Sequence, residues 1–436
     1  MGTLRWSLVA LLLAAFFVRL IWLVPFPNIP PEFDQGTFLQ ESRVLAAQGL
    51  TKWKYDDRAP GYILFLAANL RLNNGNSLAG IRIAQSLLSV TMVAVVFALT
   101  QLLFAKLPKK PRDRVAFLAA ILAAFYPDYV FYSQLLWSET LFVFLTVFGF
   151  YLLLRGYRAQ TDWRWFLASS ICLGGALLAR EVILAFVLVF IPLWLWLALP
   201  LQRGARARLI VVFAVGVAAL LAPWMLRNVA QGNGPELISW QGGRDFWKYN
   251  ARMVRANIRV KSMEAALDKE PTGAAKNGRG YREGFALIFN NPLRWVLAKA
   301  SNTAQLWSGA HSVALKTARH LKLVSRAGER GLEPYFNTLG ILWIVFTVIG
   351  FVYMRDTRAL LLLAFFVLAS LIAFFAIHYI LRFRLGIVAP LFPLTAYGMA
   401  ASAIGLRSFL RTRRIADTRR FVLTLFVVGM FLLGAI

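Results

Sequence analysis

Runs of roughly 20 apolar residues dominate this chain, and a segment of that length and character is what the hydrocarbon core of a bilayer selects. About eleven can be counted: 7–25, 80–105, 115–127, 138–154, 165–180, 182–200, 209–226, 335–354, 359–379, 385–406 and 421–436. The third is short, and the pair Arg180-Glu181 breaks the stretch from 165 to 200. Hydrophobic residues form 59% of the chain and charged residues only 16%. That is more apolar side chain than a soluble interior can hide. The expected fold class is therefore an all-α polytopic membrane protein with about 11 transmembrane helices (range 10–13). The one cysteine, Cys172, lies in an apolar run and excludes a disulfide framework. Arg19 inside the first stretch, with no small-residue exit after it, marks that stretch as a retained helix rather than a leader.

The net charge of +28 would suit a nucleic-acid partner. Its placement argues against one. Lys and Arg collect in short links between apolar runs, at 106–114, 155–164, 201–208, 355–358 and 407–420, as they do in cytoplasmic loops. With the N-terminus inside, alternation puts all five on that side. The outer side then receives residues 26–79 and 227–334, the latter with 18 Lys/Arg against 8 Asp/Glu. Long translocated segments escape the charge rule, so this basicity fits the same orientation. Three parts follow: an N-terminal transmembrane module (1–226) with an acid-bearing first outer loop (26–79), a long basic outer-face loop region (227–334), and C-terminal transmembrane helices (335–436).

The first outer loop holds PPEFDQGTFLQES at 30–42, with Glu32 and Asp34 just past the first span. Phe38, Leu39, Leu45 and Ala46 share one face of a helix beginning near Asp34, which predicts an interfacial amphipathic helix. A second apolar stretch, GYILFLAANLRL at 61–72, is too short to span. Further charged residues fall at outer ends of spans. They are Arg58 in YDDRAPGY, Asp128 and Glu139 in YPDYVFYSQLLWSETLF, Arg180 in LLAREV, Arg227 and Asn228 in APWMLRN, and His378, Arg382 and Arg384 in HYILRFRLGIVAP. Each has an ordinary reading alone: a carboxylate caps a helix, an arginine snorkels. Gathered at one depth, the arginines suit phosphate and the acids supply a base. No Walker loop, dinucleotide fingerprint, zinc-protease helix or Gly-x-Ser-x-Gly is present.

In this order, Asp34, RAPGY, LLWSETLF, LLARE, APWMLRN and RFRLGIVAP together resemble the C-type (GT-C fold) membrane glycosyltransferases. The branch is that of the protein O-mannosyltransferases and the lipid A aminoarabinose transferase. The likeness covers most of 1–230 and a patch at 378–398, and none of 235–334. It implies transfer of a hexosyl or pentosyl group from a polyprenyl-phosphate sugar to an acceptor glycan, lipid or protein, with the active site in the first outer loop. The family's acidic residue after the first span falls on Asp34, its second on Glu139, and a basic residue before a proline turn on Arg58. The usual acidic pair is replaced here by Glu32-Phe-Asp34-Gln, leaving open whether Glu32 shares the work.

Expected catalytic residues are thus Asp34 and Glu139. Glu32, Arg58, Asp128, Arg180, Arg227, Asn228, His378, Arg382 and Arg384 are expected around the substrates. A divalent cation, magnesium or manganese, shared by Asp34 and Glu139 is left open by their oxygen ligands. The chemistry needs a base for the acceptor hydroxyl and cations at the departing phosphate, and attack opposite that phosphate inverts the sugar carbon. The expected location is a bacterial inner membrane with the site on the periplasmic face. The alternative is a polytopic transporter or lipid flippase for an anionic or glycolipid substrate, which predicts charges near the midplane and broken helices.

Overall fold

The computed structural model describes residues 2–23, 34–55, 57–73, 77–159, 162–254, 260–304, 313–377 and 381–412. Glu32, His378 and the expected span 421–436 lie outside these residues. The first helices are α1 (Gly2–Leu23), α2 (Asp34–Gln48), α3 (Gly61–Leu72), α4 (Leu78–Leu103), α5 (Lys109–Phe125), α6 (Pro127–Tyr132), α7 (Glu139–Arg158) and α8 (Trp163–Ala179). A 3-10 turn at Glu181–Ile183 and a π-helical segment at Phe186–Phe190 lead into α9 (Ile191–Ala198), so the chain is broken where Arg180-Glu181 predicts it. Then come α10 (Arg203–Ala230), α11 (Gln241–Met253), α12 (Val260–Leu267), α13 (Gly273–Asn290), α14 (Pro292–Ala304) and α15 (Val313–His320). The last three are α16 (Arg326–Tyr353), α17 (Thr357–Ala376) and α18 (Arg384–Thr412).

No strand occurs among the described residues, and eight helical segments are long and apolar enough to cross a membrane. The protein is an integral membrane protein of all-α class. The helices α5 and α8, 17 residues each, fall short of that length but pack inside the bundle, against α4 and α7 respectively. Every backbone group of such a bundle must find a partner inside the protein, which is why helices fill it.

Polar pins fix the helices in register. Arg19 of α1 is wholly buried, donating from Nε to Ser89 Oγ (3.0 Å) and from Nη1 to the carbonyls of Ala15 (2.9 Å) and Ala124 (3.0 Å). At one end of the bundle Arg158, closing α7, donates to Leu102 O and pairs with Asp356 at 2.6 Å, just before α17. Trp194 donates to Arg358 O at the same end. Two of the basic links, 155–164 and 355–358, therefore meet there, and the opposite ends of α7 and α17 meet at the site described below.

Within 227–334 the described residues form the end of α10, helices α11 to α15 and the start of α16. In α11, Gly243, Phe246, Trp247, Asn250 and Ala251 are buried at helical spacing. A rich content of Lys and Arg hides that periodicity from a charge count. Asn250 and the buried Lys299 of α14 donate to the last carbonyls of α17: Asn250 Nδ2 to Ala376 O at 3.3 Å, Lys299 Nζ to Ile377 O at 2.5 Å. This cationic C-terminal cap welds the region to the bundle.

Candidate active site

Five of the expected residues converge. Asp34 opens α2 and sends Oδ1 to Arg58 Nη1 at 2.9 Å and Oδ2 to Arg382 Nη2 at 2.9 Å. Glu139 opens α7 and accepts from Arg180 Nη1 at 2.6 Å, with Arg382 Nε 3.7 Å from the same oxygen. Arg382 thus bridges the two carboxylates. They border a cavity of about 180 Å³ whose walls also carry Phe38, Trp137, Glu181, Ser239, Gln241 and Asp245.

Local sequence explains each placement. The α2 face bearing Phe38, Leu39 and Leu45 is buried against α3, as its pattern predicts. In RAPGY, a Cβ on Gly61 would run into the backbone of Leu178 and Ala179. Only glycine lets α3 approach the end of α8 so closely, which sets Arg58 beside the break bearing Arg180. Between α6 and α7 the chain is irregular yet buried, so its backbone needs side-chain partners. Gln85 donates to Ser133 O and Leu135 O, Arg82 to Gln134 O, and Leu136 N donates to Gln35 Oε1. These bonds deliver Trp137, Ser138 and Glu139 to the cavity. Aromatic rings support the cations: Arg58 over Phe38 (5.3 Å), Arg180 over Phe383 (4.9 Å) and Arg382 over Trp137 (4.9 Å).

Burial alone would raise the pKa of Asp34, but the charges of Arg382 and Arg58 and their hydrogen bonds outweigh it and hold the carboxyl below the usual range. Both oxygens accept from arginines, so Asp34 does more than cap α2. One oxygen of Glu139, Oε2, is buried without a hydrogen-bond partner beside the cavity.

Four other expected residues do not line this cavity. Arg227 lies between Trp53 and Trp224, 5.0 and 4.5 Å from the ring centres, and donates to the carbonyls of Trp53 and Tyr55. It staples the loop between α2 and α3. Asn228 is buried beside it and accepts from Arg227. Asp128 is buried and accepts from Ala314 N at 2.9 Å, anchoring α15, and Arg384 is buried at the start of α18.

Residue-type reasoning missed the opposite wall. Glu181 Oε1 accepts from Ser239 Oγ at 2.5 Å, and Asp245 Oδ2 accepts from Gln241 at 3.1 Å. Burial pushes the Asp245 carboxyl up, against Arg244 and Gln241. Arg244 also pairs with Asp57 at 3.0 Å, tying α11 to the loop before α3. Adjacency to Arg180 was the available signal for Glu181. None marked Ser239, Gln241 or Asp245.

Asp34 and Glu139 fit a shared divalent cation poorly, because the Arg382 guanidinium bridges them. The described residues contain no group of three or more acidic, histidine or cysteine side chains placed to hold a metal ion.

A polytopic helical bundle with paired acids and arginines at one end defines a class of membrane protein. The fold is the GT-C fold of membrane glycosyltransferases, in line with the resemblance. Residues 57–226, less than half of the chain, match the family model of dolichyl-phosphate-mannose-protein mannosyltransferases. The chain is similar in structure to the oligosaccharyltransferase AglB of Archaeoglobus fulgidus, solved with an inhibitory peptide and a dolichol-phosphate: TM-score 0.53, 14% identity, covering 99% of this chain and 55% of that one. The Archaeoglobus fulgidus oligosaccharyltransferase tethered to an acceptor peptide with the NVT sequon gives TM-score 0.55 at 14% identity, over 99% and 54%. ArnT from Cupriavidus metallidurans bound to undecaprenyl phosphate gives 0.42 at 14%, over 91% and 78%. This chain spans about half the length of the archaeal chains. No curated protein sequence matches it.

Proposed function

We propose that this protein is a membrane glycosyltransferase. It moves a sugar from a polyprenyl-phosphate donor to an acceptor hydroxyl, with inversion, at the outer face of a bacterial inner membrane. The observation that carries this reading is Asp34 at a cavity wall, held by Arg58 and Arg382 beside the Glu139–Arg180 pair. The fold and the family match over 57–226 support it. The gathering of basic links at the end of the bundle away from the site supports the outer face.

In the reaction, the acceptor oxygen bonds to the anomeric carbon as the carbon–oxygen bond to phosphate breaks, its electron pair staying on the phosphate. The acceptor proton passes to Asp34. Phosphate is a competent leaving group, so base and cations are the protein's contributions, the base being worth roughly 100 to 10,000-fold. In the resting site two arginines stabilise the Asp34 carboxylate and make it a weak base. A phosphate that draws the Arg382 guanidinium toward itself strengthens that base as the donor binds. Charge also accumulates on the phosphate during the step, so that cation acts most strongly in the transition state. Glu139 orients Arg180 and Arg382.

The test is Asp34→Asn, compared with wild type at matched membrane levels in a deletion strain, with surface glycans, glycolipids and glycoproteins profiled by mass spectrometry. The variant is expected to insert, to lose transfer, and to accumulate the polyprenyl phosphosugar. Retention of more than about a tenth of the wild-type product would exclude Asp34 as the base.

A further inference from the structure

Asp34 faces two cavities. The second, of about 420 Å³, shares Asp34, Trp137 and Arg382 with the first, and is otherwise lined by Lys316, Thr317, His320 and Leu321 of α15. α15 lies outside the family match and belongs to 235–334, the stretch that the resemblance does not reach. It is nevertheless fixed to the site. Asp128 accepts from Ala314 N, and Tyr132 lies 3.4 Å from Thr317 through their hydroxyls.

The cavities differ in charge. In the first, Arg58, Arg180 and Arg382 are each already paired with a carboxylate, and Glu181 and Asp245 add two more acids. An incoming anion finds these arginines already engaged, while hydroxyl groups meet carboxylate, amide and Ser239 partners. In the second, Asp34 is the only acid among the described lining residues, against Arg382 and Lys316, with the His320 imidazole beside them. Lys316 forms no ion pair among the described residues and feels the charges of Glu329 and Glu333, neither of which is among the described lining residues of this cavity.

On the glycosyltransferase reading, we propose that the α15 cavity seats the phosphate of the donor lipid and the acid-lined cavity takes the hydroxyl-bearing partner. Asp34 stands where the two meet. Lys316 and His320 are then donor-binding residues, and Arg382, common to both cavities, touches the phosphate from the side of the bond that breaks. The product phosphate monoester, with a second pKa of about 6, carries more negative charge than the donor diester. A lysine and an arginine beside it therefore favour bond cleavage over donor binding alone.

The experiment measures binding of farnesyl phosphate, with farnesol as the uncharged control, to the full chain in detergent. Wild type is expected to prefer the phosphate. Lys316→Ala is expected to raise Kd for farnesyl phosphate about tenfold, the order of one charge-assisted contact, and Lys316→Arg to restore it. Farnesol binding should not change. Glu181→Gln, from the acid-lined cavity, should leave Kd within about twofold. An unchanged Kd in Lys316→Ala, or weakening by Glu181→Gln instead, overturns the assignment while the transferase reading stands. A wild type that binds farnesyl phosphate no better than farnesol overturns both.

Discussion

Arg180→Met isolates what the buried pair contributes. Glu139 is 3% exposed, Arg180 16%, and their closest atoms are 2.6 Å apart. Charges with centres ~4 Å apart attract by about 4 kcal/mol at an effective dielectric of 20. Removing one member of such a pair costs about 3–5 kcal/mol, mostly because the other is stranded without water. Here Arg382 Nε remains 3.7 Å from the same Glu139 oxygen and shares the charge. The expected loss is therefore about 2–3 kcal/mol. Glu139→Gln leaves two guanidiniums close together and should lose a similar amount. The double variant strands nothing and should be destabilised by much less than the sum, with a coupling of about 2 kcal/mol. The assay is unfolding by SDS titration in mixed micelles for all four proteins, alongside sugar transfer. A coupling below about 0.5 kcal/mol would mean the pair is solvated, and the geometry argued here would be wrong. If the double variant regains stability but not transfer, the pair acts on the substrate and not only on the fold.

Two further outcomes follow from the packing. Desolvation lowers the pKa of Lys299 from 10.5 to about 8. Between those values the unfolded chain holds a proton that the folded protein has released, so stability rises as pH climbs through that window. Lys299→Met should abolish this slope in unfolding measured from pH 7.5 to 10.5, and a slope that persists would assign it to another group. In the crossing of α16 and α18, a Cβ on Gly398 would overlap the Phe346 carbonyl and one on Gly350 the Leu394 carbonyl, beside the 2.7 Å Thr347–Thr395 hydroxyl contact. Gly398→Ala is expected to cost about 1–3 kcal/mol by forcing the helices apart. An unchanged SDS midpoint would show that the helices already stand further apart.

The legible part of the site was the part anchored at helix ends. Asp34, Arg58, Glu139, Arg180 and Arg382 each stand where an apolar run starts, stops or breaks, so topology alone brings them to one depth. Arg227 looks identical by that criterion. Its role as a staple depends on Trp53, 174 residues away, which no local pattern reveals. The 227–334 region failed for a different reason. Its helices are short, basic and amphipathic, and α11 shows its buried face only once α13 and α14 are in place. Hence Ser239, Gln241, Asp245 and Lys316 carried no signal, although they complete both walls around Asp34.

Arg19 bears on how such a chain is assembled. Its partners Ser89 and Ala124 are made 70 and 105 residues later. A lone arginine costs about 2.5–3.5 kcal/mol at the centre of a membrane helix on insertion scales, and less near the end of α1 where Arg19 stands. Until α4 and α5 emerge, α1 has reason to linger at the translocon or the headgroup layer, with Arg19 still wetted. Arg19 therefore gains its buried partners only once α4 and α5 are made, and α1 is expected to seat after them.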